Sequence, residues 1–391
     1  MTRPDQTRPD QTRPDQNYAR NSYHEKVLLV TLYGNGNYGN ILQRCALSQI
    51  IEALGFEVWH LCDIIKPASS IKKFIKQTIK HVLAFLGVKK FRRQFQKIAL
   101  ARKIEPLFAK FQDIYITRKI YTTYSQALSE APSRWNEYHY AVTGSDQVWH
   151  NWTHNISELE YYYLSFMPRE KRVCYAPSFG FSQFSPDDLA IHKHGLEGFD
   201  RLSCREQEMI PLIRQASGKD AQLVLDPTLL LTADEWQKYS AKPSYYVPEK
   251  YVFCYFLGNK PSDYMQAISR AAEGLSVISV LDLEDKAHFF TAPSEFLWLI
   301  EHADFVCTDS FHGTAFSVNF GKNFLAFKRR QKSMENMFGR IDSLLKNLGI
   351  TGHVYGEGVR VRPDDVNYTE AHSRLQALRE SSMRYLKECL Q

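Results

Sequence analysis

The sequence lacks the features that mark secreted and membrane proteins. Its seven cysteines form no Cys-x-x-Cys pair, and four of them lie inside or beside apolar, strand-like runs. This pattern is typical of buried free thiols in a reducing compartment, and it disfavours a disulfide framework or a zinc site. The sequence shows neither an apolar signal region at the N-terminus nor a run of about 18 apolar residues. We therefore expect a cytoplasmic protein.

Acidic residues are missing from one long segment. Residues 66–103 contain twelve Lys or Arg and no Asp or Glu, whereas the whole chain has a formal net charge of only +6, which leaves −6 for the remainder. The apolar residues from Ile71 to Leu86 fall on one helical face. Such a basic helix could lie on an anionic membrane at its inner face, or it could pack on its domain with the charges in solvent. Binding to nucleic acid is disfavoured, because the basic residues are not combined with a pattern of aromatic residues or with a motif that reads a nucleic-acid groove.

Apolar residues are also absent from residues 2–16, which are three copies of TRPDQ. Proline at every fifth position prevents a helix, so we predict a disordered tail over 1–24. The chain has 391 residues, of which 44% are hydrophobic. This length and composition fit two globular domains of about 150 to 200 residues each. Residues 239–250 contain two prolines and show no helical or strand periodicity of apolar residues. We therefore predict a linker there, between an N-terminal domain at 25–238 and a C-terminal domain at 251–391.

The first domain opens with a strand, a polar loop and a helix. KVLLVTL at 26–32 is followed by YGNGNYGN, and a helix is predicted from Ile41 to Leu54. The glycines of the loop allow close approach of a ligand to the backbone, and its asparagines tolerate turn geometry. This is a Rossmann-like opening. A dinucleotide site is a weaker alternative, because the G-x-G-x-x-G order is met only approximately, although Asp63 could serve as the acid it needs.

Polar residues follow three more predicted strands of this half. Asp146 follows the strand at 140–142 and is a candidate general base or, alternatively, a solvated or helix-capping residue. Arg205 lies just past the short apolar stretch of RLSCRE, a position that by itself favours a surface pair with the next glutamate. QLVLDPTLLLT at 222–232 ends in an Asp-Pro turn, and Thr232 and Glu235 form a predicted capping box.

The second half contains the densest polar turn of the chain. In ADFVCTDSFHGTAFSVNFGKNFLAF at 303–327, an apolar strand ends at four polar residues, and a helix is predicted from Thr314 to Phe320. Ligands of open α/β sheets bind at such strand ends, and the amides of the following helix start favour an anion. A later helix at 334–348 places Arg340 on its polar side, and a final helix is predicted from Glu370 to Leu390.

Four stretches of the chain together resemble the polysaccharide pyruvyltransferase family. They are GNGNYGNILQRCAL, TGSDQVWH, LDPTLLLTADEW and TDSFHGT, and they occur in the expected order. Members of this family transfer the enolpyruvyl part of phosphoenolpyruvate onto sugar hydroxyls. The resemblance implies two facing Rossmann-like domains of the α/β class in a GT-B arrangement, with the active site in the cleft between them.

The resemblance also implies roles for individual residues. His312 would give and take protons, Asp146 would be the base on the acceptor side, and Arg205 would hold the phosphate or carboxylate of the donor. Some members carry an arginine where this chain has Ser310, so one expected anion clamp is absent here. The remaining predicted substrate-binding residues are Asn37, Gly39, Asn40, Ser145, Ser310, Phe311, Gly313 and Arg340. No cofactor or metal is expected besides the donor substrate.

The predicted function is pyruvylation of a sugar in a bacterial surface polysaccharide, such as an exopolysaccharide or capsule, on a lipid-linked or nucleotide-linked precursor. Two alternatives remain from the sequence. One is a GT-B glycosyltransferase that uses a nucleotide sugar, although no clear glutamate for a ribose appears at the expected strand end. The other is a non-catalytic protein of polysaccharide binding or assembly.

Overall fold

The computed structural model describes residues 25–33, 36–63, 89–130, 132–151, 155–330, 338–356 and 358–391, without the side chains of 89–99 and 101. The predicted tail at 1–24 and most of the basic segment, residues 66–88, therefore lie outside the described residues. Within the described ranges, no helix combines the length and the apolar character needed to cross a membrane. All seven cysteines are free thiols, and six of them are buried.

The first domain is built on a parallel sheet of five strands, in the order β3-β2-β1-β4-β5, and on a separate parallel pair, β6 and β7. The strands are β1 (Lys26–Val30), β2 (Glu57–Asp63), β3 (Lys119–Thr122), β4 (Tyr138–Thr143), β5 (Arg172–Cys174), β6 (Leu202–Cys204) and β7 (Ala221–Leu223). Four of the five residues of the central strand β1 are apolar and buried, and β4 is buried over its last three residues, as expected for a parallel sheet covered on both faces.

The helices of the first domain connect these strands. They are α1 (Tyr38–Ala53), α2 (Lys89–Tyr115), α3 (Tyr124–Ser129), α4 (Ile156–Tyr162), α5 (Pro186–Glu197), α6 (Met209–Ser217), α7 (Pro227–Leu230) and α8 (Ala233–Gln237). The first helix begins three residues before its predicted start. The side chain of Asn37 accepts hydrogen bonds from the backbone N–H groups of Gly39 and Asn40, and this cap sets the helix start at Tyr38.

The second domain has a parallel sheet of four strands in the order β11-β10-β8-β9. Its strands are β8 (Tyr251–Tyr255), β9 (Ser276–Val280), β10 (Phe305–Thr308) and β11 (Phe324–Ala326), and its helices are α9 (Ser262–Ala272), α10 (Pro293–Glu301), α11 (Phe311–Asn319), α12 (Gly339–Leu348) and α13 (Tyr368–Cys389). Helix α11 begins at Phe311 and not at Thr314, because the hydroxyl of Ser310 caps it by accepting from the Gly313 N–H. His312 therefore lies in the first turn of a helix and not before it.

The two domains share one apolar core. Tyr38 of α1 stacks on Phe296 of α10 with ring centroids 4.2 Å apart, and its hydroxyl donates to the Thr291 carbonyl at 2.8 Å. Helix α13 returns to the first domain, where the Leu225 N–H donates to the Ser382 hydroxyl at 2.9 Å and Tyr385 donates to the Cys174 carbonyl at 3.1 Å. These contacts fix the two sets of strand ends relative to each other, and the candidate site depends on that arrangement.

Candidate functional site

A single arginine organises the strand ends of the first domain. Arg205 directly follows β6, and its guanidinium donates to Asp146 at 2.7 Å, to Asp226 at 2.6 Å and to Glu206 at 3.1 Å. Asp146 follows β4 and Asp226 follows β7, so parallel strands bring these side chains to one edge. The Ser145 hydroxyl lies 3.3 Å from the same guanidinium. We call this group of Arg205, Asp146, Asp226 and Glu206 the carboxylate cluster.

The carboxylate cluster is almost completely buried. The Arg205 side chain is 1% exposed and those of its three carboxylate partners at most 7%. Burial lowers the pKa of Arg205, but the three carboxylates outweigh burial and hold that pKa above its usual value. Arg205 is therefore a fixed cation whose hydrogen bonds are largely committed to the protein. This explains how three carboxylates can be buried together.

Asp226 links the cluster to the histidine of the second domain. One carboxylate oxygen accepts from the Thr228 N–H at 3.0 Å and from the Thr228 hydroxyl at 2.7 Å. The other accepts from Arg205 and from Ser145, and it lies 3.7 Å from Nε2 of His312. Burial raises the pKa of Asp226, but His312 and Arg205 more than offset this and hold the pKa well below its usual range. Asp226 is thus a permanently ionised partner for the imidazole.

The imidazole of His312 is placed by a close contact between the two domains. A Cβ atom on Gly39 would lie 2.0 Å from Nδ1 of His312, so only glycine fits in this first turn of α1. Nε2 is buried and has no hydrogen-bond partner among the described residues. The helix starts of α1 and α11 therefore meet at one imidazole, which faces Asp226 on one side and Gly39 of α1 on the other.

A second buried arginine lies beside the first. Arg340 of α12 is 9% exposed, and its NH1 approaches Asp146 at 3.6 Å, whereas its Nε has no hydrogen-bond partner in the described structure. The Phe311 ring faces both guanidiniums, at 5.1 Å from Arg205 and 5.9 Å from Arg340. Burial, and then the charge of Arg205, lowers the pKa of Arg340 to about 10. Arg340 is the cation of this site whose binding capacity is least satisfied.

Asp146 is held between these two arginines. Its backbone adopts a left-handed conformation, with φ of 71°, which aspartate tolerates better than most residues. Burial raises the pKa of Asp146, but Arg205, His312 and Arg340 together bring it below its usual value. The carboxylate is therefore ionised and only weakly basic.

A cavity of about 390 Å³ opens beside the cluster, between the two domains. Its lining includes Ser178, Phe181 and Glu206 from the first domain and Lys328, Phe338 and Arg340 from the second. The volume falls within the usual range of small-molecule sites, and its walls combine aromatic rings with charged groups. Glu206 of the carboxylate cluster and Arg340 thus border a space that a substrate could occupy.

The structure brings most of the predicted site residues together. Ser145, Asp146 and Phe311 contact Arg205, and Arg340 approaches Asp146 and Phe311. His312 is linked to Arg205 through Asp226, and Gly39 packs against His312. The other predicted residues shape the helix starts: Asn37 and Ser310 are caps, Asn40 bonds to Asn37 and Gln43, and Gly313 packs on Thr308.

Sequence reasoning missed two residues of the carboxylate cluster. Asp226 was predicted only to form an Asp-Pro turn, and Glu206 only as part of a possible surface pair with Arg205. In the structure Asp226 is 1% exposed and Glu206 5% exposed. A signal was present for both, because each follows a predicted strand whose carboxyl end belongs to the edge where ligands bind.

The corresponding edge of the second domain is differently arranged. Asp309, directly after β10, accepts from the backbone N–H of Leu257 at 2.7 Å and of Gly258 at 2.8 Å, and Arg329 lies 3.6 Å from the same carboxylate. A Cβ on Gly258 would lie 2.8 Å from Asp309 Oδ2. The amides that follow β8 are therefore already bound to an anion of the protein itself.

Comparisons with known proteins agree with this architecture. A family model described as Polysaccharide pyruvyl transferase matches residues 37–330. No curated protein matches the sequence. The UDP-GlcNAc 2-epimerase of Methanocaldococcus jannaschii is 9% identical, with 90% of this chain and 92% of that chain covered and a TM-score of 0.50. Anabaena HepE, solved with UDP and glucose, is 11% identical, with 93% and 96% covered and a TM-score of 0.49. At this identity, the likeness to the epimerase shows the two-domain GT-B fold alone.

Proposed function

Because the chain belongs to the polysaccharide pyruvyl transferase family, we propose that it transfers the enolpyruvyl group of phosphoenolpyruvate to two hydroxyls of one sugar, forming a pyruvate ketal. The sugar would be part of a lipid-linked or nucleotide-linked precursor of a bacterial surface polysaccharide, modified in the cytoplasm. One observation carries the proposal: the imidazole of His312 lies 3.7 Å from Asp226 of the buried carboxylate cluster, and another member of that cluster, Glu206, lines an interdomain cavity. Such a junction offers proton transfer and fixed cations at the same place.

The donor needs cations for its phosphate and its carboxylate. Arg340 and Lys328 both line the cavity, and Nε of Arg340 has no hydrogen-bond partner in the described structure. We therefore place the anionic groups of phosphoenolpyruvate against these two residues. Arg205 would contribute a fixed positive charge near the donor without binding it directly, because its own hydrogen bonds go mainly to the carboxylates of the cluster. Arg340 would thus provide the clamp that an arginine at position 310 provides in other members.

The chemistry requires a proton at C3 of the donor and an oxygen nucleophile at C2. His312 would supply the C3 proton while the first sugar hydroxyl adds to C2, and the second hydroxyl would then displace phosphate to close the ketal. Asp226 would orient the imidazole through Nε2 and stabilise its charged form. Asp146, predicted from the sequence as the acceptor-side base, is tied to both arginines, and we propose that it mainly positions them.

The test is phosphate release from phosphoenolpyruvate by the purified protein. The acceptors are a panel of nitrophenyl hexosides and an extract of bacterial lipid-linked oligosaccharides, and mass spectrometry detects the ketal on the sugar. We expect acceptor-dependent release, and we expect His312→Ala to lower kcat by about 10²- to 10⁴-fold. His139→Ala is the control, because that imidazole is half-exposed and lies on the first domain beside Glu25.

Two results would contradict the proposed function. If no acceptor supports release while a UDP-sugar raises the melting temperature, the nucleotide-sugar glycosyltransferase becomes the better interpretation. If His312→Ala retains all measurable activity of the wild type, the histidine has no catalytic role. That result would favour a non-catalytic function in polysaccharide assembly.

A further inference from the structure

Glu206 is the one member of the carboxylate cluster that lines the interdomain cavity. Its Oε1 accepts from Nε of Arg205 at 3.1 Å, whereas its buried Oε2 makes no hydrogen bond of good geometry to the described residues. The Ser178 hydroxyl, which also lines the cavity, interacts with this carboxylate and lowers its pKa. A buried carboxylate oxygen without a donor is costly unless a ligand completes it. The position of Oε2 therefore suggests that it accepts a hydrogen bond from a bound substrate.

The other carboxylates of the cluster are less suited to take a proton from a substrate. Both oxygens of Asp226 accept hydrogen bonds from the protein, and Asp146 is tied to two arginines. The pKa of Asp146 and that of Asp226 lie below their usual values for this reason. Burial raises the pKa of Glu206, and the charges of Arg205 and Arg340 and the hydrogen bonds from Ser178 and Arg205 offset this only in part. A base is more effective when its pKa is closer to the operating pH.

We propose that Glu206 is the general base for the acceptor and that the interdomain cavity holds the acceptor sugar. This inference rests on the proposed pyruvyl transfer and specifies where its second substrate binds. In the first step, Glu206 takes the proton of one sugar hydroxyl, the oxygen of that hydroxyl bonds to C2 of phosphoenolpyruvate, and the C2–C3 electron pair takes a proton from the imidazolium of His312.

The second step returns both residues to their starting states. The second hydroxyl of the same sugar gives its proton to the now neutral His312, its oxygen bonds to C2, and the bond from C2 to the phosphate oxygen breaks. The leaving phosphate takes the proton held by Glu206. One donor and one sugar thus yield one ketal and one phosphate, with no net change in the protein.

The lining of the cavity indicates the class of sugar. Phe181 and Phe338 supply rings from the two domains on which a sugar can pack. Glu206, Glu208 and Asp342 also line the cavity, and the bound donor would add further negative charge. With Lys328 and Arg340 engaged by the donor, the carboxylates that remain would repel an acidic sugar, whereas the hydroxyls of a neutral hexose could donate to them. We infer a neutral hexose as the residue that is pyruvylated.

The first test uses Glu206→Gln, which keeps the shape and the acceptor oxygen for Arg205 but cannot take a proton. We expect kcat for phosphate release with a neutral nitrophenyl hexoside to fall by about 10²-fold or more, while phosphoenolpyruvate still raises the melting temperature as it does for the wild type. Glu158→Gln is the matched control, because Glu158 is a buried glutamate in α4, outside the site, and its activity should stay within twofold. A nitrophenyl glucuronide should be a poor acceptor.

The second test is chemical rescue. Sodium formate should restore part of the activity of Glu206→Ala, because a small carboxylate can enter the cavity, but none of the activity of Asp146→Ala. Rescue of Asp146→Ala alone would overturn the assignment, and so would a Glu206→Gln enzyme within threefold of the wild type. A wild type that releases no phosphate with any acceptor would instead overturn the proposed function, and the role of Glu206 with it.

Discussion

The two domains present the same kind of strand-end edge but use it differently. On the first domain, the carboxylate cluster gathers three carboxylates around one guanidinium, and one of the three, Glu206, lines a cavity. On the second domain, Asp309 accepts from the backbone amides of Leu257 and Gly258 and so completes that edge with a group of the protein. One edge is ready for a ligand, and the other is occupied by its own aspartate.

This difference bears on which substrate the fold can serve. A nucleotide sugar bound at the second-domain edge would bring its phosphates to amides such as those of Leu257 and Gly258. The Asp309 side chain would have to move away from these amides before an anion could bind to them. The comparison teaches that a shared fold does not determine the substrate, which depends on the side chains present at each strand-end edge.

The largest effect is expected from breaking the first edge with Asp226→Asn. An amide group would replace the carboxylate oxygen that accepts from Arg205 and faces His312. A buried guanidinium that loses an ionic partner costs roughly 3 to 5 kcal/mol of stability. Misplacement of the imidazole should lower kcat by about 10²-fold or more. Urea unfolding and phosphate release measure the two losses separately.

The control for this variant is Asp220→Asn. Asp220 also pairs with an arginine, Arg214, but both side chains are about two-thirds or more exposed. Because solvent screens such pairs, we expect a change below about 1 kcal/mol and unaltered kinetics. Equal losses in the two variants would mean that burial does not distinguish the cluster from a surface ion pair.

A moderate effect is expected from breaking the second edge with Asp309→Asn. The new amide group can accept from only one of the two backbone N–H groups, so one buried donor is left without a partner, at about 1 to 3 kcal/mol. Activity should change only a few-fold, since Asp309 faces the amides after β8 and not the cavity. Calorimetry and phosphate release check both parts. A loss of kcat as large as that of Asp226→Asn would show that both edges take part in catalysis.

The fold could be predicted from the sequence to a large extent. Short apolar runs alternating with helical patterns indicated parallel sheets, and the polar turns marked their carboxyl ends. The differences lie at the helix starts, because α1 and α11 each begin three residues before the predicted start, and the side chains of Asn37 and Ser310, which were predicted to bind substrate, cap these helices. Both uses favour the same small polar residues, so the residue type alone cannot separate them.

The candidate site could be predicted from the sequence only in part. The sequence pointed to Arg205 and His312, but it did not show that Asp226 would lie between them, because their positions are 21 and 86 residues away from it. Glu206 illustrates the same limit. An Arg–Glu dipeptide is typical of a solvated surface, and only the packing of α12 and of the loop after β5 buries it. Burial converts a common pattern into an unusual chemical environment.

The smallest effect concerns two carboxylates of the same cluster whose pKa values move in opposite directions. The pKa of Asp226 is lowered on folding, so its stabilising contribution is present above its unfolded pKa, near 3.8, and is lost as the pH falls through its folded pKa. The pKa of Glu206 is raised, chiefly by burial, so its ionisation costs stability as the pH rises above its unfolded value, near 4.5. Glu206→Gln should therefore gain stability relative to the wild type as the pH rises from 4.5 to neutrality, as measured by urea unfolding across this range. A difference that stays flat or falls would show that Arg205 and Arg340 hold Glu206 ionised throughout, and Glu206 would then resemble Asp146 more than a base.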